Sequence, residues 1–234
     1  MIATAQSPLL TVFQFLVITG IAVAAVISAT FQSRRQSRRR RDLYTLAERL
    51  KFDSFSPLRD DSFAMGWGFL DRLSRGNARY AFNILRGTYH DRALYVFDFH
   101  YQTGAGKSKK EHYATMLMLV VDEAFPQFVL RPETFGERVA SALGLTNDIQ
   151  FESAEFSRAF SVHCTDKKFA YDVCNPQMMA YLLDNPDLQV EIQGPVISMA
   201  FEPQLPVEKI EFNLQRLAQV RSLLPEYLFE TKNT

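Results

Sequence analysis

Asp98 and His100 stand two residues apart in a run whose other members, Tyr95, Phe97, Phe99 and Tyr101, are aromatic at alternate positions. On a strand that spacing points both polar side chains one way and the aromatic rings the other. A turn over Gly104 to Lys107 would set His100 across from Glu111 or His112, depending on a one-residue choice of register. An imidazole that titrates near neutrality, held beside a carboxylate, is the minimum equipment for acid–base work or for ligating a metal. Asp98, His100 and His112 are therefore the candidate catalytic residues. The competing reading is an ordinary polar sheet face, and three possible ligands in an unfixed register define no metal site. No cofactor is implied.

Two further groups of residues look like chemistry and lose it on context. Gly104-Ala105-Gly106-Lys107-Ser108 ends like a phosphate-binding loop, and the run Leu117 to Glu123 looks like a strand closed by a magnesium-holding acid. A phosphate loop needs a glycine five positions before its second one, where this chain has Tyr101, and a helix starting at the lysine. The residues after Ser108 lead instead into a strand-like run, so the glycines read as a hairpin turn. His163, Cys164 and Cys174 form the other group. A catalytic thiol needs a neighbouring base, and the spacing of the two cysteines matches no zinc pattern. They read as buried or idle thiols in a reducing compartment, with one bridge also compatible.

Charge is distributed in blocks. No charged residue precedes Arg34, six arginines (Arg34, Arg35, Arg38, Arg39, Arg40 and Arg41) follow at once, and from Asp42 onward 20 basic residues face 26 acidic ones. A net acidic body lacks the cationic surface that nucleic acid needs, so nucleic acid is excluded as a main partner. With 47% hydrophobic and 22% charged residues, disordered and collagen-like classes are excluded as well. Leu9 to Phe31 is uncharged, and at about 1.5 Å per residue it reaches roughly 35 Å, enough for a bilayer core of about 30 Å. It reads as an N-terminal transmembrane helix. Basic residues after the span predict that its N-terminus lies outside and the body in the cytoplasm, which for a bacterial chain makes the membrane the inner (plasma) membrane. The arginines would rest on anionic lipid headgroups of the lipid bilayer as a membrane-surface segment.

The elements that must position these residues follow from periodicity. An N-terminal tail over 1–8 precedes the span over 9–31. A basic juxtamembrane segment and amphipathic helix fill 32–51, with Leu43, Leu46, Ala47 and Leu50 on one face, and Ser56-Pro57 ends it. A domain over 52–234 begins with a stretch around Gly66-Trp67-Gly68 that reads as loop. Tyr80, Phe82 and Ile84 alternate on one strand and the aromatics of 95–101 on the next, with His90-Asp91 turning between them, so the hairpin has an aromatic face. His112 to Val121 reads as an interior strand and Gln127 to Leu130 as a fourth. Pro132, Phe135, Val139, Leu143 and Gly144 predict a helix, and Asn175-Pro176 starts another, leading into Met179, Leu182 and Leu183. Two short strands flank Gly194-Pro195. A last helix from Pro206 carries Val207, Ile210, Leu214, Leu217 and Leu224. Strands come first and helices later, which predicts an α+β domain with a mainly antiparallel sheet packed by helices.

The string from Leu85 to Tyr113, followed by Phe128 to Glu133 and Asp148 to Val162, resembles a group of uncharacterised bacterial single-pass membrane proteins with a basic flank and a cytoplasmic domain. The resemblance implies a bacterial chain and carries over no activity and no site residue. With no catalytic constellation intact, the expected function is a membrane-anchored cytoplasmic binding or adaptor module with a protein partner at the membrane. The alternative is a membrane-tethered hydrolase or metal-dependent enzyme using the Asp98, His100, His112 face.

Overall fold

A computed structural model describes residues 8–133 and 149–230, with side chains at only some positions of 8–32. The chain divides into two units, Met1–Thr45 and Leu46–Thr234. The described residues of the first lie in helix α1 (Pro8–Arg49), which runs without a break through the apolar stretch and the arginines and ends in the second unit. Within it Arg38 approaches Asp42 at 3.8 Å, and Arg34, Arg35, Arg38, Arg40 and Arg41 are exposed. Among the described residues no helix is long and apolar enough to cross a membrane. This overturns the transmembrane part of the expected fold and the single-pass inner-membrane placement built on it. Hydropathy alone sets 9–31 apart as a block, whereas the structure joins that block to a strongly cationic one in a single helix.

Among the described residues the second unit is built on six strands, all paired antiparallel. They are β1 (Ser54–Ser56), β2 (Asn77–Tyr89), β3 (Arg92–Thr103), β4 (Lys110–Pro132), β5 (Phe160–Cys164) and β6 (Val190–Phe201), in the order β1-β2-β3-β4-β5 with β6 on β4. The α+β expectation and its antiparallel sheet hold. Between β1 and β2 lie two short helices, α2 (Asp61–Gly66) and α3 (Asp71–Ser74), in the stretch that its glycines mark as loop. The local signal for α2 is Asp60, whose side chain accepts from Phe63 N at 2.8 Å and caps the helix. The later helices are α4 (Ala154–Ala159), α5 (Lys167–Val173), α6 (Pro176–Leu183) and α7 (Ile210–Leu223). Asn175 caps α6 as its sequence predicts, accepting from Met178 N at 3.0 Å with Pro176 in the first turn. Of the helix expected from Pro132 to Gly144, Pro132 ends β4, Glu133 follows it outside any helix, and 134–144 lies outside the described residues.

Bulges account for the other differences. The segments 112–121 and 127–130 are one strand, and so are the two expected pieces of β6. Their irregularities face each other, Phe125 pairing with Gly194, whose φ is 53°. A glycine in that conformation lets a strand bend without ending, so Gly194-Pro195 reads as a turn in sequence and serves as a shared bend in the sheet. A second bulge sits at Asn83, with φ 51° between the Phe82 and Leu85 registers. It reverses the alternation of β2. Tyr80 and Phe82 pair with His100 and Asp98 on one face, while Ile84 packs with Phe97, Phe99, Tyr101, Met116 and Met118 on the other. The expected single aromatic face of the hairpin is therefore divided between two faces. The β2–β3 turn is as read: His90 (φ 48°) and Asp91 (φ 62°) form a two-residue loop of the kind that matches strand twist.

The face bearing Phe97, Phe99, Tyr101, Met116 and Met118 is covered by Ala64, Leu70 and Leu73, with Phe63 and Trp67 packed at its margin. Phe63 meets Phe97 edge-on at 5.1 Å between ring centroids. On the other face the β3–β4 ladder carries the pairs Leu94–Leu119, Val96–Leu117, Asp98–Thr115 and His100–Tyr113 in succession. That face holds the candidate residues.

Candidate functional site

Register decides which candidates meet. His100 pairs with Tyr113 and Tyr101 with His112, so His112 lies on the face opposite His100 and Asp98. The Asp98, His100, His112 face expected from sequence does not exist as one face. Nor is it an open polar surface, because Asp98 is 1% and His100 3% exposed.

Asp98 is closed in by its neighbours. Asn83 Nδ2 donates to Oδ2 at 2.8 Å, Thr115 Oγ1 donates to Oδ1 at 3.0 Å, and the Leu205 amide donates to Thr115 Oγ1 at 3.0 Å. The bulge at Asn83 aims that amide at the carboxylate. Both oxygens of Asp98 are engaged in a buried site, which gives a substrate no access. His100 is filled in the same way. Its ring stacks on Tyr80 at 4.4 Å, Nδ1 donates to the Ala78 carbonyl at 3.1 Å, and Nε2 faces the Glu111 carboxylate. The bond with His100 holds Glu111 below the ordinary carboxylate value. Arg59 lies over the far side of Tyr80, 4.2 Å from the ring centroid.

His112 belongs to a separate cluster. Its ring stacks on Tyr101 at 4.6 Å, Nδ1 donates to Glu202 Oε1 at 2.8 Å, and Nε2 lies 2.8 Å from Thr103 Oγ1. Glu202 also accepts from Arg72 Nη1 at 2.7 Å and from Tyr101 at 3.0 Å, while Arg72 Nη2 donates to Gln189 Oε1 at 2.8 Å. Burial works to raise the Glu202 carboxyl, but the His112 and Tyr101 hydrogen bonds and the Arg72 charge outweigh it and leave it below its ordinary value. Burial, with Glu202 beside it, pushes the Tyr101 phenol up. An open depression of about 560 Å³ lies over these residues, yet every polar group named is spent within the cluster.

The remaining candidates carry no chemistry of their own. The Gly104–Ser108 segment is the β3–β4 hairpin connection, with a short 3₁₀ turn at Gly106–Ser108 in place of a phosphate-binding helix. His163 is exposed on β5. Cys164 and Cys174 are both free thiols, and burial pushes both up, Cys174 the further. Among the described residues no group of three or more His, Cys, Asp or Glu side chains is placed to hold a metal ion.

At the other end of the Asp98 face the sheet is open. Leu94 and Leu119 floor a groove of about 530 Å³, with Thr88 and Tyr89 at the end of β2, Leu50 and Phe52 as one wall and α7 as the other. Phe52 stands where it does because residue 87 is glycine: a Cβ there would come 2.7 Å from Phe52 Cδ1. Helix α7 offers Leu214, Leu217 and Ala218 to the groove, and Glu211, Gln215, Gln219 and Ser222 along the next stripe. Arg49 Nη1 pairs with Glu211 Oε2 at 2.6 Å. Leu214 and Leu217 belong to the apolar stripe read from sequence. The polar stripe beside it, at spacings of four, four and three, is the signal in the sequence that could have marked the groove's edge.

No family model matches the chain, and a comparison with curated proteins finds no match. Among solved structures the fold is similar to the crystal structure of the mycobacterial trehalose monomycolate transport factor A, TtfA. The TM-score is 0.57 and the identity 18%, over 79% of this chain and 93% of that one. At that identity the likeness is one of fold. It covers most of both chains, so the sheet and its packed helices are a shared architecture.

Proposed function

We propose that the second unit is a non-catalytic binding module whose working surface is the α7 groove, part of an adaptor that holds and presents rather than transforms. The observation that carries this reading is the contrast on one sheet face. Asp98 and His100, which looked catalytic, are each bonded to neighbouring protein groups, while the groove of about 530 Å³ is open and apolar, in the size range of a ligand site. The mycobacterial protein of similar fold is a transport factor, in keeping with a binding or adaptor role. The rival reading, a hydrolase or metal-dependent enzyme, gains no support from a face whose members point to opposite sides of the sheet.

Complementation of a deletion strain of the source organism tests the proposal. Ala218→Trp fills the groove from a half-buried position on α7, and the variant is expected to accumulate at the normal level and fail to complement. His112→Gln is expected to complement. Full function with the groove filled would overturn the proposal, as would loss of function in a folded His112→Gln protein.

A further inference from the structure

We propose that the groove takes a single-chain amphiphile with an uncharged, hydroxyl-rich head group; this rests on the groove being the binding surface. The chain end of the ligand is set by the floor and walls. Leu50, Phe52, Leu94, Leu119, Leu214 and Leu217 present only hydrocarbon, and a cavity of about 530 Å³ is in the size range of a small-ligand site.

The head is set by the rim. Among the described residues Glu211 is the one charged residue that lines the groove, and Arg49 neutralises it at 2.6 Å. An anionic or cationic head would meet no free countercharge there and would lose hydration without return. The rest of the α7 rim is Gln215, Gln219 and Ser222, with both glutamines exposed. Amides and a hydroxyl both donate and accept, which matches a head made of hydroxyl groups. Together the rim and floor form a neutral polar edge along an apolar trough, the pattern of a small-ligand site in which few polar groups fix orientation.

Isothermal titration of the full chain with decyl maltoside, decanoate and decyltrimethylammonium, each below its micelle concentration, separates chain from head. Saturable one-to-one binding of decyl maltoside is expected, with the two charged probes at least about ten-fold weaker. Ala218→Trp should weaken decyl maltoside by at least about ten-fold with an unchanged circular dichroism spectrum. Gln215→Lys, at an exposed rim position, should raise decanoate affinity by about three-fold or more. No saturable decyl maltoside binding, or equal affinity for all three heads, overturns the proposal, and so does undiminished binding by a folded Ala218→Trp protein. If decyl maltoside fails to bind while Ala218→Trp still fails to complement, the amphiphile is wrong and the groove stands. If Ala218→Trp complements, the groove itself is wrong.

Discussion

Asp98 and Leu94 lie on the same face of the same strand, four residues apart, in opposite circumstances. Around Asp98 the carboxylate, Thr115, Asn83 and the Leu205 amide form a closed set in a buried site. Around Leu94 the side chains are apolar and the space above them is a groove. Polar residue types draw attention to the first place, yet a buried carboxylate with both oxygens already bonded acts on uniqueness of the fold and leaves nothing for a substrate. Apolar surface that the fold leaves uncovered is the less usual feature and the better pointer to binding.

The largest effect should come from breaking the closed end. Asp98→Ala strips the acceptor from Asn83 and Thr115 inside the core, and a loss of about 3 kcal/mol is expected for a charge-assisted buried pair of hydrogen bonds. Urea unfolding of the variant and parent gives the difference. A loss below about 1 kcal/mol would mean the cluster is idle in the fold, and the contrast between the two ends would fail.

A smaller effect is expected at the open end. Gly87→Ala places a methyl 2.7 Å from Phe52 Cδ1, and the ring must swing away from its position on the groove wall. Overpacking of that kind costs about 1 kcal/mol when the neighbour is a side chain that can move. The same variant should bind decyl maltoside more weakly than the parent, because the wall has moved. Parent-like stability together with parent-like binding would show that the Phe52 contact with Gly87 does not shape the groove.

Much of the fold was legible, and the failures within the sheet share a cause. The hairpin turn at His90-Asp91, the cap at Asn175, the last helix and the α+β class all rest on local signals that tertiary packing did not override. The bulge at Asn83 and the shared bend at Phe125 and Gly194 are decided by pairing partners far away in the chain, so alternation counted along one strand misassigned Ile84 and cut β4 and β6 in two. The register between β3 and β4 is the same kind of quantity. Neither Glu111 nor His112 is the register partner of His100: Tyr113 is, Glu111 reaches the imidazole diagonally from its place across from Gln102, and His112 turns away to Glu202, a partner ninety residues on. Glu202 could not be paired with His112 or Arg72 from sequence, since nothing local joins them. The groove was partly legible: α7 showed its apolar stripe, but the walls at Leu50 and Phe52 depend on Gly87, whose lack of a side chain carries no periodic signal.

The His112–Glu202 cluster sharpens the comparison because it is partly open and still saturated. Its expected effect is the smallest, a few tenths of a kcal/mol after solvent screening, and it should appear in the pH dependence. Glu202 has an ordinary value of 4.5 and is lowered in the folded chain, so the native carboxyl releases its proton more readily than the unfolded one. Its stabilisation is complete above 4.5 and is lost as pH falls through the lower folded value. Glu191, which accepts from the Asp71 and Arg72 amides, is shifted the other way: burial raises it, so its contribution is greatest at low pH and declines as pH rises through the raised folded value. The two oppose each other in the raw acid limb. Subtracting Glu202→Gln from the parent cancels Glu191 and leaves Glu202 alone. The stability gap measured by urea unfolding should be steady from about pH 5.5 upward and close as the pH drops below about 4.5. A gap that stays constant down to acid would mean that Arg72, Tyr101 and His112 do not hold the carboxylate in its charged form. The depression over them would then offer a carboxyl group free to act, and the groove would no longer be the sole open surface of interest on this sheet.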